Sequence, residues 1–257
     1  MKKTIIMIHG MWLGKWWWEN YIKYFTRKGF RCIPLVLRHH DVDPKEPLLP
    51  ELGYVGTNDY ISDLKKEIAK LKLKEPPIIM GHSYGALLTQ ILASQIKIKA
   101  FVLLTPVPPY GIWIWRARMI RIFAKVLMQW GFWRKPFRFN FSTAVYAMMK
   151  LFPPAKQKKY FKKLRYEAGR AACETGFWFF DPYKATRVDE KKVTAPGLVI
   201  GGGKDNLMPL FLSRRIAKKY RHVVDYKEYP EHAHWIIDEP GWEKVAEDIY
   251  RWLKNII

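Results

Sequence analysis

The sequence has little cysteine and no long apolar run. Its 257 residues include only two cysteines, Cys32 and Cys173, which are far apart and outside any CxxC pair, so neither a disulfide framework nor a zinc site is expected. No run of 18 apolar residues occurs, so no transmembrane helix is expected. The basic start at residues 1–3 imitates a signal peptide, but His9-Gly10 interrupts the apolar run and no cleavage site follows. The expected location is the cytoplasm.

Acidic residues are missing from about a third of the chain. Residues 76–166 contain no Asp or Glu but 16 Lys and Arg, and this window carries most of the net charge of +22. The anomaly lies mainly in residues 111–166, because the earlier part is predicted core, where few acids are expected. A local surplus of positive charge attracts anionic partners such as lipid headgroups, nucleic acid or an acidic substrate. A charged surface that only aids solubility is the alternative.

Short apolar runs alternate with longer amphipathic stretches, as in a parallel sheet with crossover helices. Six strands are predicted, at 4–9, 31–37, 77–81, 100–105, 197–201 and 223–229. Helices are predicted between them, at about 16–28, 58–73, 84–96, 208–220 and 241–255. Residues 107–190 show no strand signal and are dense in Trp, Phe, Arg and Lys. They are predicted to form a helical cap, inserted into a core made of residues 1–106 and 191–257.

The segment Gly81-His82-Ser83-Tyr84-Gly85 stands between a predicted buried strand and a predicted helix. In that position GxSxG is typical of a nucleophile elbow, a turn so tight that larger side chains than glycine would collide with neighbouring backbone. The turn lifts the serine above the end of the strand, at a helix N-terminus that favours developing negative charge. Ser83 is therefore the predicted nucleophile, and a glycine-rich turn with an incidental serine is the alternative.

A serine nucleophile needs a base, and the base needs an orienting acid. Asp205 comes just after a predicted strand, where the active-site groups of open α/β sheets gather. Three other acids are weaker alternatives, because Asp181 falls in the predicted cap, Asp225 lies within a strand and Asp238 is too close to the histidines. Asp205 is the predicted acid.

The base is predicted in the loop after the last strand, and the oxyanion donors are predicted in the loop after the first strand and directly after the nucleophile. His232 and His234 both precede the final predicted helix, so either satisfies the chain order of nucleophile, acid and base. One predicted oxyanion donor is the backbone N–H of Tyr84, directly after the nucleophile. The other is the N–H of Met11, which follows the His-Gly pair behind the first strand. The remaining candidates are predicted to be ordinary surface residues: His39, His40 and His222.

From its first strand to its last helix, the sequence resembles the α/β-hydrolase superfamily. The opening IHGMWLGKWWWENYIKYFTRKGFRCIPLVLRHHD is similar to bacterial esterase-like members and to plant methylesterases and hydroxynitrile lyases. The resemblance implies an α/β-hydrolase fold, with a mostly parallel sheet of about six strands flanked by helices and an inserted helical cap. It also implies ester hydrolysis without a metal or an organic cofactor.

The resemblance assigns roles within the site. It implies a catalytic triad and two oxyanion donors, namely Ser83, Asp205 and His234 with the N–H groups of Met11 and Tyr84. His234 is favoured over His232 because Trp235 and the IIDEP segment behind it resemble the histidine loop of the family. Asp205 fixes the imidazole in this scheme, and water completes the reaction on an acyl-enzyme.

Residues 112–130, within the predicted cap, fit an amphipathic helix. Its apolar positions are Trp115, Met119, Phe123, Val126 and Trp130, and its basic positions are Arg118, Arg121 and Lys125. One hypothesis packs the aromatic face over the active site, so that Trp12, Trp115 and Phe123 bind the substrate. A second adds that the cap rests on an anionic membrane, with basic groups at the headgroups. Nucleic-acid binding is not expected, because no recognised binding motif is present.

Together these patterns predict a carboxylic-ester hydrolase, either a carboxylesterase or a monoacylglycerol-type lipase. The aromatic residues near the predicted cleft favour a small-molecule ester with an apolar acyl or alcohol group as the substrate. A non-catalytic small-ligand receptor on the same fold is one alternative, and a lyase or acyltransferase using the same residues is another.

Overall fold

The apolar runs form a single sheet in the computed structural model, which describes residues 2–41, 43 and 46–256. The strands are β1 Thr4–Ile8, β2 Arg31–Leu35, β3 Ile78–His82, β4 Ala100–Leu104, β5 Gly197–Gly202 and β6 Val224–Tyr229. They lie in the order β2-β1-β3-β4-β5-β6, and every neighbouring pair is parallel. The predicted α/β fold is confirmed, and each strand end lies within two residues of its prediction.

The burial of the strands explains the apolar pattern that predicts them. The inner strands β1 and β4 have almost wholly buried side chains and continuous apolar sequences, TIIMI and AFVLL. Parallel strands covered by helices on both faces have this character. β6 forms one edge of the sheet, and its sequence VDYKEY alternates between exposed and partly buried positions. β2 forms the other edge, where Pro34 is tolerated because edge strands have fewer hydrogen bonds to make.

Helices connect the strands and also fill the long interval between β4 and β5. Those of the described residues are α1 Glu19–Arg27, α2 Thr57–Lys70, α3 Tyr84–Ala93, α4 Ala117–Leu127, α5 Phe141–Ala144, α6 Pro154–Phe161, α7 Gly169–Gly176, α8 Leu210–Lys219 and α9 Trp242–Ile256. Short 3₁₀ turns span Lys15–Trp18, Pro50–Tyr54, Phe132–Arg134, Trp178–Phe180 and Glu190–Lys192, and a π-helical turn spans Val145–Met149. In the part of the chain that the structure describes, no helix is both long and apolar enough to cross a membrane.

Residues 105–196, here named the β4–β5 segment, contain the helices α4 to α7 and several short helical turns, but the helix predicted over 112–130 is shorter than expected. Only α4 is helical, so Trp115 and Trp130 lie outside it. Trp115 lies before the helix, where its Nε1 donates a hydrogen bond to the carbonyl oxygen of Gly176 at 2.6 Å. Trp130 is 86% exposed and does not share the apolar face of the helix. The helix is therefore shorter than the apolar repeat: Trp115, bonded to the distant Gly176, precedes it, and Trp130 lies beyond its last residue.

The helix after β3 packs directly against the end of β1, and this contact depends on Gly85. A Cβ atom at Gly85 would lie 2.2 Å from the carbonyl oxygen of Ile8 and 2.4 Å from that of His9. Backbone atoms cannot move aside as the end of a flexible side chain can. Gly85 therefore sets how closely α3 approaches the sheet below the predicted nucleophile.

The Gly85→Ala variant tests this contact. We expect it to lower the free energy of unfolding by about 2–3 kcal/mol, because overpacking forces backbone to shift. Urea unfolding followed by tryptophan fluorescence measures the change. Gly14→Ala is the matched control, because its Cβ would meet no atom closer than 3.4 Å. Equal unfolding midpoints for the two variants would contradict the steric argument.

Candidate active site

Three predicted site residues meet at the carboxyl edge of the sheet. Ser83 follows β3, Asp205 follows β5, and His234 follows β6. Parallel strands all end at this edge, so their loops converge although His234 is 29 residues from Asp205 and 151 residues from Ser83. All three side chains are buried.

A continuous hydrogen-bonded chain joins these side chains. His234 Nδ1 lies 2.8 Å from Asp205 Oδ2, and His234 Nε2 lies 3.0 Å from the Ser83 hydroxyl. An ionised carboxylate only accepts hydrogen bonds, so Nδ1 donates to Asp205 and Nε2 is left to accept from Ser83. The other oxygen of Asp205 accepts the N–H groups of Leu207 and Met208, both at 2.7 Å. The acid is therefore held from both sides, and the imidazole is oriented to take a proton from the serine.

The backbone around Ser83 is strained and closely packed. Ser83 has a φ of 54°, a left-handed conformation that costs free energy in a residue with a side chain. Its N–H donates to the carbonyl oxygen of Leu104 at 2.9 Å, which fixes the turn to the neighbouring strand. The loop after β1 comes so close that a Cβ atom at Gly10 would lie 2.9 Å from the Cβ of Ser83.

The two residues predicted to donate to the oxyanion are both near this serine. Tyr84 is the first residue of α3, where a backbone N–H has no acceptor within the helix. Met11 belongs to the loop after β1 and lines the same pocket as Ser83. N–H groups at these two positions can stabilise an oxyanion that forms on a group bound to Ser83.

An apolar pocket opens beside Ser83, between the core and the β4–β5 segment. All three residues predicted to bind substrate, Trp12, Trp115 and Phe123, line it. α4 adds the side chains of Met119 and Val126 to the same wall. The ring of Trp12 lies 4.5 Å from that of Phe139, between ring centres, so aromatic contacts hold this wall together.

A comparison with protein families agrees with this architecture. The model of a family described as the alpha/beta hydrolase family matches residues 5–248, which is nearly the whole chain. The chain belongs to this family. Its fold, its strand order and the position of Ser83 directly after β3 are then features of an α/β hydrolase rather than separate coincidences.

Solved structures share the fold of this α/β hydrolase at low sequence identity. The methylesterase MES16 from Arabidopsis is 15% identical, with a TM-score of 0.73 and coverage of 98% of this chain and 99% of that one. A monoacylglycerol lipase of Paleococcus ferrophilus is 18% identical, with a TM-score of 0.70 and coverage of 99% and 95%. Methylketone synthase I of tomato, solved with 2-tridecanone, is 17% identical, with a TM-score of 0.74 and full coverage of both chains. At these identities the comparison establishes the fold alone.

Of the two candidate base histidines, the structure brings only His234 to the serine. His232 lies beside Glu239, with 3.4 Å between its Nδ1 and the nearer carboxylate oxygen. His82, the variable residue of the elbow, donates from Nε2 to the carbonyl oxygen of His234 at 2.8 Å. Burial, together with the neighbouring His234, lowers the pKa of His82 well below its usual value, so it is a neutral packing residue.

Sequence reasoning missed one residue of this hydrolase site, the buried Glu167 of the β4–β5 segment. One of its oxygens accepts from His40 Nε2 at 3.1 Å and from the N–H of Trp12 at 3.3 Å. The other accepts from the hydroxyl of Tyr60 at 3.0 Å. A second hydrogen bond joins the same two segments, since the N–H of Arg165 donates to the carbonyl oxygen of Trp12 at 2.8 Å. Residues 165–167 thus clamp both peptide groups of the residue that follows Met11.

The prediction that His40 is a surface residue is wrong. His40 is 1% exposed, and its Nδ1 lies 2.9 Å from the carbonyl oxygen of Arg38. Both partners of its ring can only accept, so both ring nitrogens carry protons and the imidazole is cationic. The only sequence signal for this pair is that Glu167 is the first acid after the long acid-free window.

The pKa values of this pair follow from burial and mutual attraction. Burial alone would lower the pKa of His40, but the charge and hydrogen bond of Glu167 outweigh it and raise that pKa. Burial alone would raise the pKa of Glu167, but His40 and the hydrogen bonds from Ala168 and Tyr60 bring it below its usual value. The pKa of the neighbouring His9 shifts in the opposite direction to that of His40, since burial and the nearby His40 lower it to about 3.

In the described part of the chain, no group of three or more His, Cys, Asp or Glu side chains is arranged to hold a metal ion. The ionisable groups of the site are instead paired with one another or with backbone. Asp205 faces His234, and Glu167 faces His40.

The Glu167→Gln variant tests the buried pair through its pH dependence. The raised pKa of His40 gives stability that is full below about pH 6.5 and is lost as pH rises through the folded pKa. The lowered pKa of Glu167 gives stability that is present above about pH 4.3 and is lost as pH falls. We therefore expect Glu167→Gln to cost about 3–5 kcal/mol of unfolding free energy near pH 6 and less near pH 9.

Urea unfolding at several pH values measures this difference. Glu67→Gln is the control, because it breaks only the exposed pair with Lys70 and should change stability little at any pH. The side chains that face His40 besides Glu167 are His9, Tyr60 and Arg165, and all are retained in the variant. A loss that does not depend on pH would mean that His40 is not charged.

Proposed function

We propose that this chain is a serine hydrolase that cleaves carboxylic esters of apolar acyl groups, as a carboxylesterase or a monoacylglycerol-type lipase. The observation that carries the proposal is the hydrogen-bonded chain from Asp205 through His234 to Ser83, which opens onto an apolar pocket. Residues 107–190 act in this proposal as the cap that closes the pocket. The reaction needs no metal and no organic cofactor.

The geometry supports an acyl-enzyme mechanism. Ser83 attacks the ester carbonyl while His234 takes its proton, and the N–H groups of Met11 and Tyr84 stabilise the oxyanion. His234 then gives the proton to the leaving alcohol, and Asp205 stabilises the imidazolium that exists between the two transfers. A water molecule repeats the sequence on the acyl-enzyme, which releases the acid and restores Ser83.

The pocket supports an apolar acyl group. Its walls are mainly aromatic and aliphatic, and it offers few polar side chains with which a charged substrate could pair. The Paleococcus protein with this fold is a monoacylglycerol lipase, and the tomato synthase was solved with the apolar ketone 2-tridecanone. We infer that the acyl chain lies against Trp12, Trp115 and Phe123.

The roles of the serine and the histidines can be tested together. We expect Ser83→Ala and His234→Ala each to reduce hydrolysis of a p-nitrophenyl ester by about 10⁴–10⁶, because nucleophile and base act as a unit. His232→Ala is the control, since His232 contacts Glu239 rather than Ser83. It should retain most activity.

Covalent labelling by a fluorophosphonate separates the candidate functions. The wild type should be labelled at Ser83, and Ser83→Ala should not. An unlabelled wild type would support the non-catalytic receptor, and labelling without acid as a product would support a lyase or an acyltransferase. Ser83→Ala activity above about a tenth of wild type would show that the nucleophile assignment is wrong.

The side chain of Phe123 in the pocket wall is predicted to limit the length of the acyl chain. We expect Phe123→Ala to move the highest kcat/KM toward longer acyl chains, because each buried methylene contributes about 0.8 kcal/mol and the lost ring leaves room for several. A series of p-nitrophenyl esters of increasing chain length measures the shift. Ile120→Ala is the control on the same helix, since Ile120 is 54% exposed. An unchanged profile for Phe123→Ala would place the acyl chain elsewhere.

A further inference from the structure

The β4–β5 segment exposes an unusual number of large apolar side chains. The aromatic surface, as we name it, consists of Trp113, Trp130, Phe179, Phe180 and Tyr183. The most exposed are Trp130 at 86%, Phe180 at 78% and Tyr183 at 74%. Single exposed apolar residues need no explanation, but a connected group of them marks a binding surface.

Ring contacts connect the aromatic surface to the pocket beside Ser83. Trp113 stacks on Phe179 with ring centres 5.4 Å apart, and Phe179 contacts Phe177 at 6.2 Å. Phe177 contacts Phe132 at 6.1 Å, and both of these rings line the pocket. The exposed surface is therefore one ring away from the wall of the active-site pocket.

The ring contacts just described form one arm of a network, and a second arm leads from Phe132 to Trp130. Phe132 contacts Trp133 with ring centres 5.4 Å apart, and Trp133 contacts Trp130 at the same distance. Trp133 also lines a surface depression together with Phe180 and Tyr183. The two arms thus belong to one continuous surface.

Two basic residues, Arg134 and Lys135, lie beside the aromatic surface. Arg134 lines the same depression, and Lys135 Nζ donates to the carbonyl oxygen of Trp130 at 3.0 Å. Within the residues that the structure describes, neither cation forms an ion pair. Two acids also line the depression: Glu174 pairs with Arg170, and Asp181 accepts the N–H groups of Tyr183 and Ala185.

The residues available for membrane contact differ from those that the sequence pattern predicted. The apolar side of α4, expected to insert into a membrane, is turned inward, with Met119, Ile122 and Val126 buried. The basic residues of α4 remain exposed. Apart from Ile120, which is exposed on α4, the exposed apolar groups come from the chain before and after α4 and from the turn that follows α7.

We propose that the aromatic surface docks on an anionic phospholipid bilayer, with its rings at the boundary of headgroups and acyl chains and with Arg134 and Lys135 at the phosphates. Trp and Tyr rings favour this depth, and basic residues around an apolar surface add attraction to anionic lipid. Docking places the pocket beside the bilayer, so an apolar ester reaches Ser83 without crossing water. This last step rests on the proposed function, whereas the docking does not.

The chemistry favours lipid over nucleic acid. Trp113 and Phe179 cover each other, which leaves less ring face on which a base could stack. Exposed aliphatic side chains lie nearby in the sequence, at Ile120 and at Met128, which is 84% exposed. Aliphatic groups bury surface in lipid but offer nothing to a phosphate backbone or a base.

A second basic region provides the matched control. Lys74 and Lys99 line a cavity at the amino ends of the strands, together with Lys2, Lys3 and Arg31. This cavity is at the opposite edge of the sheet from Ser83, and none of the described residues that line it is a tryptophan or phenylalanine. Removing two charges there changes the net charge as much as removing Arg134 and Lys135.

The test uses co-sedimentation with vesicles of phosphatidylcholine alone or of phosphatidylcholine with phosphatidylglycerol. The full chain should bind the anionic vesicles at low salt and lose most of this binding at about 0.5 M salt. Arg134→Gln with Lys135→Gln should weaken the partition coefficient by roughly thirtyfold, since each cation contributes about fivefold. Trp130→Ser with Phe180→Ser should also weaken it, and that loss should persist at high salt.

The control pair Lys74→Gln with Lys99→Gln should change binding by less than about threefold. An equal loss in both charge pairs would overturn the proposal in favour of non-specific attraction. Equal binding to neutral and anionic vesicles, or binding to an RNA oligonucleotide in preference to anionic vesicles, would also overturn it.

Hydrolysis of a small water-soluble ester is measured in parallel. Loss of vesicle binding with this hydrolysis intact supports the docking surface as separate from the chemistry. A wild type that binds vesicles but hydrolyses no ester would contradict the proposed function and leave the docking supported.

Discussion

Two backbone segments, residues 8–10 and 83–85, meet at the carboxyl ends of β1 and β3 with no room for a side chain at either glycine. Gly10 faces the Cβ of Ser83, and Gly85 faces the carbonyl oxygens of Ile8 and His9. Ser83 has its left-handed φ at this contact, and the loop after β1 lies beside it. The position of the serine, the course of Met11 and the mouth of the pocket all depend on this contact.

The β4–β5 segment is joined to the core by electrostatics as well as by apolar packing. Glu167 enters the core as a buried anion and meets the cationic ring of His40, the hydroxyl of Tyr60 and the N–H of Trp12. A buried charge without partners would be very costly, so this arrangement requires the segment and the core to fold as one. Because the anion holds Trp12, the segment also determines the conformation next to Met11.

The same segment presents two different environments. Its inner side is apolar and lines the pocket through α4, whereas its outer side combines exposed rings with Arg134 and Lys135, which form no ion pair within the described residues. Residues 76–166 contribute cations but no acid to this side, and the acids that line its depression, Glu174 and Asp181, come from the later part of the segment. A surface of this composition is suited to the boundary between an anionic lipid layer and water.

The sequence by itself determined the strands, the core helices and the order of Ser83, Asp205 and His234 along the chain. These features follow from local periodicity and from short motifs at strand ends, which are legible within a few residues. The sequence could not choose between His232 and His234 by spacing alone, since both occupy one loop. The helix predicted from the sequence was also longer than α4, because the hydrogen bond from Trp115 to Gly176 joins distant segments and leaves no local pattern.

Tertiary structure alone decided the pairing of His40 with Glu167. These residues are 127 positions apart, and nothing in the local pattern of either marks it as buried. Their charges are tolerated inside the protein only because each neutralises the other, and that condition depends on the path of the whole chain between them. Which rings of the β4–β5 segment face the pocket and which face outward was decided in the same way, by contacts between distant segments.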